Sequence, residues 1–303
     1  MSIPQDSREP RKSEYGSILP DTRKQREFEY GFQDFDRLRK LSFAHSGIRV
    51  PDDKQDMFYS RLSKRLRHLG LTRFSGYCDL LEREPGEEFT DFINAITTNL
   101  TSFFRENHHF DYLRAKVLPG ILAHNAASKR IRIWSAGCST GEEPYSIAIT
   151  LLESAPQLAG WDLRILATDL DTQVLATAAS GVYPMERVQQ IPEARLRRWF
   201  LKGGAGPSSK ARIKPELRAL IRFNQLNLMG PWRMKGPFDL IFCRNVLIYF
   251  DTETKRKLVE RFAQLLAPEG HLFIGHSESL HTLTQSFRSL GHTMYRKSPE
   301  LQR

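Results

Sequence analysis

Long apolar runs are missing from this chain of 303 residues. None reaches the roughly 18 residues that a helix needs to span a bilayer. The N-terminus is charged and proline-containing, without the apolar centre of a secretory signal. Cysteine is scarce, and Cys78, Cys138 and Cys243 lie far apart with neither CxxC nor Cys/His spacing. That pattern argues against a disulfide framework or a zinc site and for a reducing compartment. No internal repeat or extended low-complexity stretch is present. A dinucleotide-type GxGxxG turn and a phosphate-loop lysine are also missing, which argues against NAD and ATP. The expectation is a cytoplasmic protein with no metal and no membrane insertion.

What is present in excess is positive charge, a formal net +10 at neutral pH. Nucleic acid, a membrane surface and an acidic protein partner each suit such a balance, and composition does not choose among them. The length allows one large or two modest domains.

The chain is organised around residues 131–149. Ile131 to Trp134 reads as a buried strand, Ser135 to Gly141 as a small-residue turn, and a helix begins near Glu142. Gly137 and Gly141 let the backbone turn tightly and approach a ligand. Strand, glycine turn and helix N-terminus together open a nucleotide-binding βαβ unit. Glu142 and Glu143 stand where a phosphate would otherwise rest, which favours a ligand carrying positive charge. An ordinary βα turn with acids in the first helical turn has the same pattern.

Before this unit, residues 1–27 read as a charged mobile tail. Residues 28–95 read as an all-helical domain. Phe28, Phe32, Phe35 and Leu38 recur at helical spacing, a helix runs from Asp52 or Asp53 to Leu69 with Gly70 as its stop, and a helix pair covers Phe74–Leu81 and Glu87–Thr98. Arg61, Lys64, Arg65 and His68 share one face of the clearest helix, either simply solvated or a docking surface for an acidic partner. Residues 96–130 form a linker and helix, with Asn99, Thr101 and Arg105 reaching one ligand from a bend and the helix after it. The adjacent His108 and His109 point apart on a helix and read as structural.

Residues 131–303 read as an α/β domain. Strand Leu163–Thr168 ends on Asp169, placed as the ribose-binding acid, and Asp171 caps the helix Thr172–Ser180. Arg187–Phe200 reads as helical. Ala211–Lys214 and Leu220–Phe223 suggest a small β insertion at about 201–222, the main sheet resuming at Ile221. Phe238–Cys243 reads as a fully buried strand ending on Arg244 and Asn245. Asp251 caps a helix Thr252–Leu266, strand His271–Gly275 follows, and Phe287–Lys297 supplies closing strands.

Acids at the first two strand ends and amides at the later ones suit S-adenosylmethionine. Asp169 takes its ribose, Glu143 lies near its cationic methionine portion, and Asn227 meets the adenine. Four segments sharpen this: Thr98–Arg105 (TNLTSFFR), Trp134–Ser146 (WSAGCSTGEEPYS), Phe242–Asp251 (FCRNVLIYFD) and Gly275–Glu278 (GHSE). In this order they resemble the chemotaxis receptor methyltransferase family, CheR, over residues 28–297. The resemblance implies a Rossmann-like class I methyltransferase sheet with an N-terminal all-helical domain and a small inserted antiparallel β subdomain.

It also implies methyl transfer from S-adenosylmethionine to glutamate side chains on the cytoplasmic helices of transmembrane chemoreceptors, leaving S-adenosylhomocysteine. The family's cofactor contacts fall on Asn99, Thr101, Arg105, Glu143 (or its neighbour Glu142), Asp169, Asn227, Leu228, Arg244 and Asn245. Tyr249 matches a tyrosine near the transferring methyl, and Arg105 and Tyr249 are the candidate catalytic residues. Arg61, Lys64, Arg65 and His68 become a candidate receptor-docking strip, and the β insertion a candidate seat for a receptor C-terminal peptide.

Two rivals remain at this stage. A base-modifying methyltransferase would carry an Asn/Asp-Pro-Pro-aromatic motif where this chain has Arg244-Asn-Val-Leu. A non-catalytic nucleotide-sensing scaffold is the other.

Overall fold

The computed structural model describes residues 26–83, 86–204 and 209–299. The expected tail over 1–27 therefore falls outside the described residues except for its last two. Helices α1 (Phe32–Ser46), α2 (Gln55–Leu69), α3 (Phe74–Arg83) and α4 (Glu87–Ile96) form the N-terminal helical body. Its core holds Phe35, Leu38, Phe58, Leu62, Leu66, Phe74, Tyr77 and Phe92. Helix α2 ends on Gly70 in the left-handed conformation (φ 66°), and a 3-10 turn over Asp52–Lys54 precedes its start. Phe32, the first residue of α1, departs from the expected apolar stripe and is 54% exposed.

Residues 97–107 have no helix. Arg105 thus sits on an irregular segment and not on the helix expected for it. The chain re-enters helix at α5 (His108–Tyr112) and passes through one π turn (Leu113–Val117) into α6 (Leu118–His124). The α/β body then runs β1 (Arg130–Ala136), α7 (Glu142–Ser154), β2 (Asp162–Asp169) and α8 (Thr172–Ser180). Next come β3 (Val182–Pro184), α9 (Met185–Val188), α10 (Glu193–Trp199), β4 (Phe200–Gly203), β5 (Lys210–Ile213) and α11 (Pro215–Arg218). The last elements are β6 (Ile221–Gln225), β7 (Phe238–Cys243), α12 (Thr252–Leu265), β8 (Leu266–Ile274), β9 (Phe287–Gly291) and β10 (Met294–Lys297).

The large sheet has the order β6-β2-β1-β7-β8-β10-β9. Its first five strands are parallel, while β10 and β9 close it as an antiparallel pair. The sheet is covered on both sides, as parallel strands require. Ile133, Ile165 and Phe242 face the layer of α7, while Trp134, Ile241 and Ile274 face that of α12. Leu272, one register step from Phe273, lies on the α12 side.

The small sheet, order β3-β5-β4, has β4 and β5 within or at the edge of the expected 201–222 but extends beyond it. It begins at Val182, and Ile221–Gln225 pairs in parallel with β2 as the edge of the large sheet. A three-residue strand ahead of a helical stretch leaves too short a pattern to read from the sequence. The helix expected over Arg187–Phe200 is likewise broken, because Pro192 starts a new helix at Glu193. Among the described residues no helix is long and apolar enough to cross a membrane.

Both expected acidic caps are in place. Asp251 accepts from Thr254 N, and Asp171 accepts from Gln173 N and Val174 N. Asp171 also takes hydrogen bonds from Thr97 Oγ1 (2.7 Å) and Asn99 Nδ2 (2.8 Å), so it binds the linker to the sheet body. Asp251→Ala should lower unfolding free energy by about 1 kcal/mol, an ordinary cap loss. Asp171→Ala should cost roughly 2–4 kcal/mol, since two further donors lose their partner. Urea unfolding with unchanged slope checks both.

Candidate active site between the helical body and the sheet

The carboxyl ends of parallel strands are where an open α/β sheet presents side chains to a ligand. Here β1, β2 and β7 end beneath a cleft of about 220 Å³. Every residue expected to meet the cofactor lines it: Asn99, Thr101, Arg105, Glu143, Asp169, Asn227, Leu228, Arg244 and Asn245, together with Tyr249. The roof comes from the helical body, through Ser46, Ile48, Val50 and Met57. No sequence signal marked those four, since they are ordinary small or apolar residues.

The glycine turn is tight, as expected, and Gly137 lines the cleft. Gly137 (φ 77°) and Gly141 (φ 96°) are both left-handed. A Cβ at 137 would lie 2.3 Å from Val246 Cγ2, and one at 141 would lie 2.8 Å from Ala178 Cβ. Both glycines are therefore needed where the turn packs against the loop after β7 and against α8. After the turn, the two adjacent acids separate. Glu142 is fully buried and faces Arg187 and Thr140 (2.6 and 2.7 Å). Glu143 faces the cleft and accepts from Ser135 Oγ at 2.7 Å. Of the two, Glu143 lines the cleft and Glu142 does not.

Asp169 closes the floor. Its two oxygens accept from Ser139 N (2.8 Å) and Asp171 N (3.0 Å). Burial pushes the Asp169 and Glu143 carboxyls above their ordinary values, although hydrogen bonds pull each back down. Asn99 is held by Asp171, and its carbonyl accepts from Ser139 Oγ at 2.9 Å. Asn227 spans the two bodies: its Nδ2 donates to His45 O at 2.6 Å, and its Oδ1 accepts from Met229 N. Arg49 N also donates to Tyr249 O at 2.8 Å.

Arg244 is the buried cation of the site, its side chain 3% exposed. It lies 3.2 Å from Glu143 and 3.2 Å from Glu106, and it donates to the Arg105 carbonyl. Glu106 was missed by sequence reasoning, although it directly follows the Thr98–Arg105 segment. Its other oxygen meets His276 Nδ1 at 2.9 Å. Burial raises the Glu106 carboxyl, but His276 and Arg244 outweigh that and bring it to about 2. Of the two acids sharing Arg244, Glu106 is the more strongly ionised. His109 is fully buried, with Nε2 3.0 Å from His292 O, and burial brings its ring to about 4. Glu106, His108 and His109 bring ligand-type atoms within 4.8 Å of one another, but Arg244 and His276 already engage the carboxylate.

The expected docking strip on α2 is divided by the fold. Arg61 donates to Ile96 O and Thr97 O (3.0 and 2.6 Å), and Arg65 pairs with Glu88 and Asp91. These two arginines hold the helical body and its linker together, whereas Lys64 and His68 are exposed. Helical periodicity could not tell the pairs apart, because their partners lie on α4.

The Glu106 carboxyl falls from 4.5 to about 2 on folding, worth on the order of 3 kcal/mol. Because the folded value is depressed, this contribution is present above pH 4.5 and is lost as pH falls toward 2. Glu106→Gln should remove it. Urea unfolding across that window should show a shallower acid loss than the parent, with stability at pH 7 already reduced.

A family model described as the SAM binding domain of CheR methyltransferase matches residues 99–296, and its all-alpha domain matches residues 33–97. The chain is 47% identical to chemotaxis protein methyltransferase 2 of Pseudomonas aeruginosa, covering 89% of this chain and 94% of that one. A probable chemotaxis protein methyltransferase of Rhizobium etli is 44% identical, with 84% and 96% covered. The chemotaxis protein methyltransferase of Escherichia coli is 43% identical, with 88% and 91% covered. The cofactor is S-adenosylmethionine, and the donor set fits it. Two cleft acids whose charge burial disfavours suit a ligand bringing positive charge and ribose hydroxyls. With three of the four segments lining one cleft, the fourth joined to it through Glu106 and Asn245, and both family domains matched in order, the chain belongs to the CheR methyltransferase family.

Proposed function

We propose that the protein is a protein-glutamate O-methyltransferase that esterifies glutamates on the cytoplasmic helices of transmembrane chemoreceptors, for sensory adaptation in chemotaxis. The observation that carries this reading is the polarity of the cleft. Its floor offers carboxylates, Glu143 and Asp169, and its other wall offers Arg105 beside the phenol of Tyr249. The first pair suits a cationic cofactor and the second an anionic acceptor.

When bound, S-adenosylmethionine supplies an electrophilic methyl group on a sulfonium. Asp169 is the residue proposed for the ribose, Glu143 for the cationic methionine portion, and Asn99, Thr101, Asn227, Leu228, Arg244 and Asn245 for the remaining contacts. The acceptor glutamate, with a reference pKa near 4.3, is already ionised at neutral pH and requires no general base. The protein's work is therefore to orient that carboxylate and to exclude water from it. Arg105 orients it. Burial raises the Tyr249 phenol above its ordinary value, so it stays protonated and can donate a hydrogen bond beside the acceptor.

Lys64 and His68 are the exposed part of the α2 strip left to meet an acidic receptor helix. Arg61 and Arg65 would support that face from within. A receptor C-terminal peptide would add a strand beside β4, which among the described residues pairs only with β5. Residues 205–208, which follow β4, lie outside the described residues.

Purified protein with tritiated cofactor should place base-labile methyl label on a receptor cytoplasmic fragment and none on RNA. Arg105→Ala at saturating cofactor should lower turnover by about tenfold or more, the usual cost of losing one orienting contact. Unchanged turnover would remove Arg105 from the mechanism, and label on RNA would overturn the reading as a whole.

A further inference from the structure

The fourth sequence segment, Gly275–Glu278, follows β8 and reaches the cleft only through its neighbours. Glu278 is 7% exposed, a carboxylate inside the protein with no arginine or lysine among its hydrogen-bond donors. Its Oε2 accepts from Asn245 N at 3.0 Å and from Gly275 N, and its Oε1 accepts from Ile248 N at 3.1 Å. Two of those donors belong to the loop that carries Arg244, Asn245 and Tyr249 along the cleft.

That loop needs holding. Asn245 has φ 58°, in the left-handed region that disfavours residues with a side chain, asparagine less than most. Gly275 lies against it so closely that a Cβ there would stand 2.5 Å from Asn245 Nδ2 and 2.7 Å from Asn245 N. A 3-10 turn, Leu247–Tyr249, begins two residues later and aims Tyr249. The strained residue, the missing Cβ and the buried acceptor therefore meet at one point. His276, between them in sequence, holds Glu106 and through it Arg244.

We infer that Glu278 is a positioning residue of the methyl-transfer site. Its carboxylate latches the 244–249 loop to the end of β8 and keeps Asn245 in its left-handed turn, so that Arg244, Asn245 and Tyr249 present to the cofactor. The inference rests on the methyl-transfer reading for its purpose, but its geometry stands without it. Glutamate is required because all three partners are N–H donors. A glutamine of the same size would turn an NH2 against one or more of them, which a carboxylate never does. Burial raises the Glu278 carboxyl and these backbone donors draw it back, consistent with a group whose acceptor character is in use.

The test is Glu278→Gln in the full chain. Amide hydrogen exchange of the ligand-free protein should quicken at residues 245–249 while the cores of α7 and α12 keep their protection. Calorimetry with S-adenosylhomocysteine should show affinity weaker by about tenfold or more, the expected result of misplacing several contacts together. Gly275→Ala, which leaves Glu278 intact and pushes on Asn245 from the other side, should give the same local pattern if Glu278→Gln does not fold. Affinity within about twofold of the parent together with unchanged loop exchange would overturn the inference. So would a uniform rise in exchange across the chain, which would mark Glu278 as a general stability residue. Parent protein that binds S-adenosylhomocysteine but labels no receptor would defeat the proposed substrate and leave the latch testable by exchange and binding.

Discussion

The Arg244 guanidinium, buried between Glu143 and Glu106, is the interaction on which the site depends. A buried cation is costly unless paired and hydrogen-bonded. Its partners come from the first turn of α7 and from the irregular segment after α4, and Glu106 passes the connection to His276. All four segments singled out in the sequence thus meet on one charge network. Removing one partner would strand a buried charge, so the segments are coupled even though 139 positions separate Glu106 from Asn245.

A second constraint is the junction at Asp171. One carboxylate caps α8 and anchors Thr97 and Asn99, while Asn94 exchanges hydrogen bonds with Thr172. Asn227 and Arg49 make the corresponding ties on the opposite side of the cleft. Several cleft residues therefore also fasten the helical body to the sheet. The cleft and the domain contact are one structure, and an account that placed the cofactor site in the sheet alone would omit its roof.

Much of this was legible because the signals were local. Phe238–Cys243 and Thr172–Ser180 match their expected bounds, as a buried apolar run framed by polar ends and a capped helix should. Asp169, Glu143 and Asn227 followed from residue types near strand ends, and the other expected lining residues from the resemblance to the CheR family. What could not be read depended on distant partners. Nothing in the spacing of α2 says that Arg61 and Arg65 face α4 and the linker while Lys64 faces water. Nothing near Glu278 in sequence shows that its carboxylate serves a loop 33 positions earlier. The start of the small sheet at Val182 was hidden because its strand is three residues long and, among the described residues, pairs only with β5.

The central claim is that the cofactor is held jointly by the segment leaving the helical body and by the ends of the sheet strands. Amide hydrogen exchange with and without S-adenosylhomocysteine tests it most directly. Protection should rise together in residues 97–106, around Ser139–Glu143 and in the 244–249 loop, with a smaller rise at the Ser46–Met57 roof. Protection confined to the strand ends, with residues 97–106 and the roof unchanged, would contradict the claim.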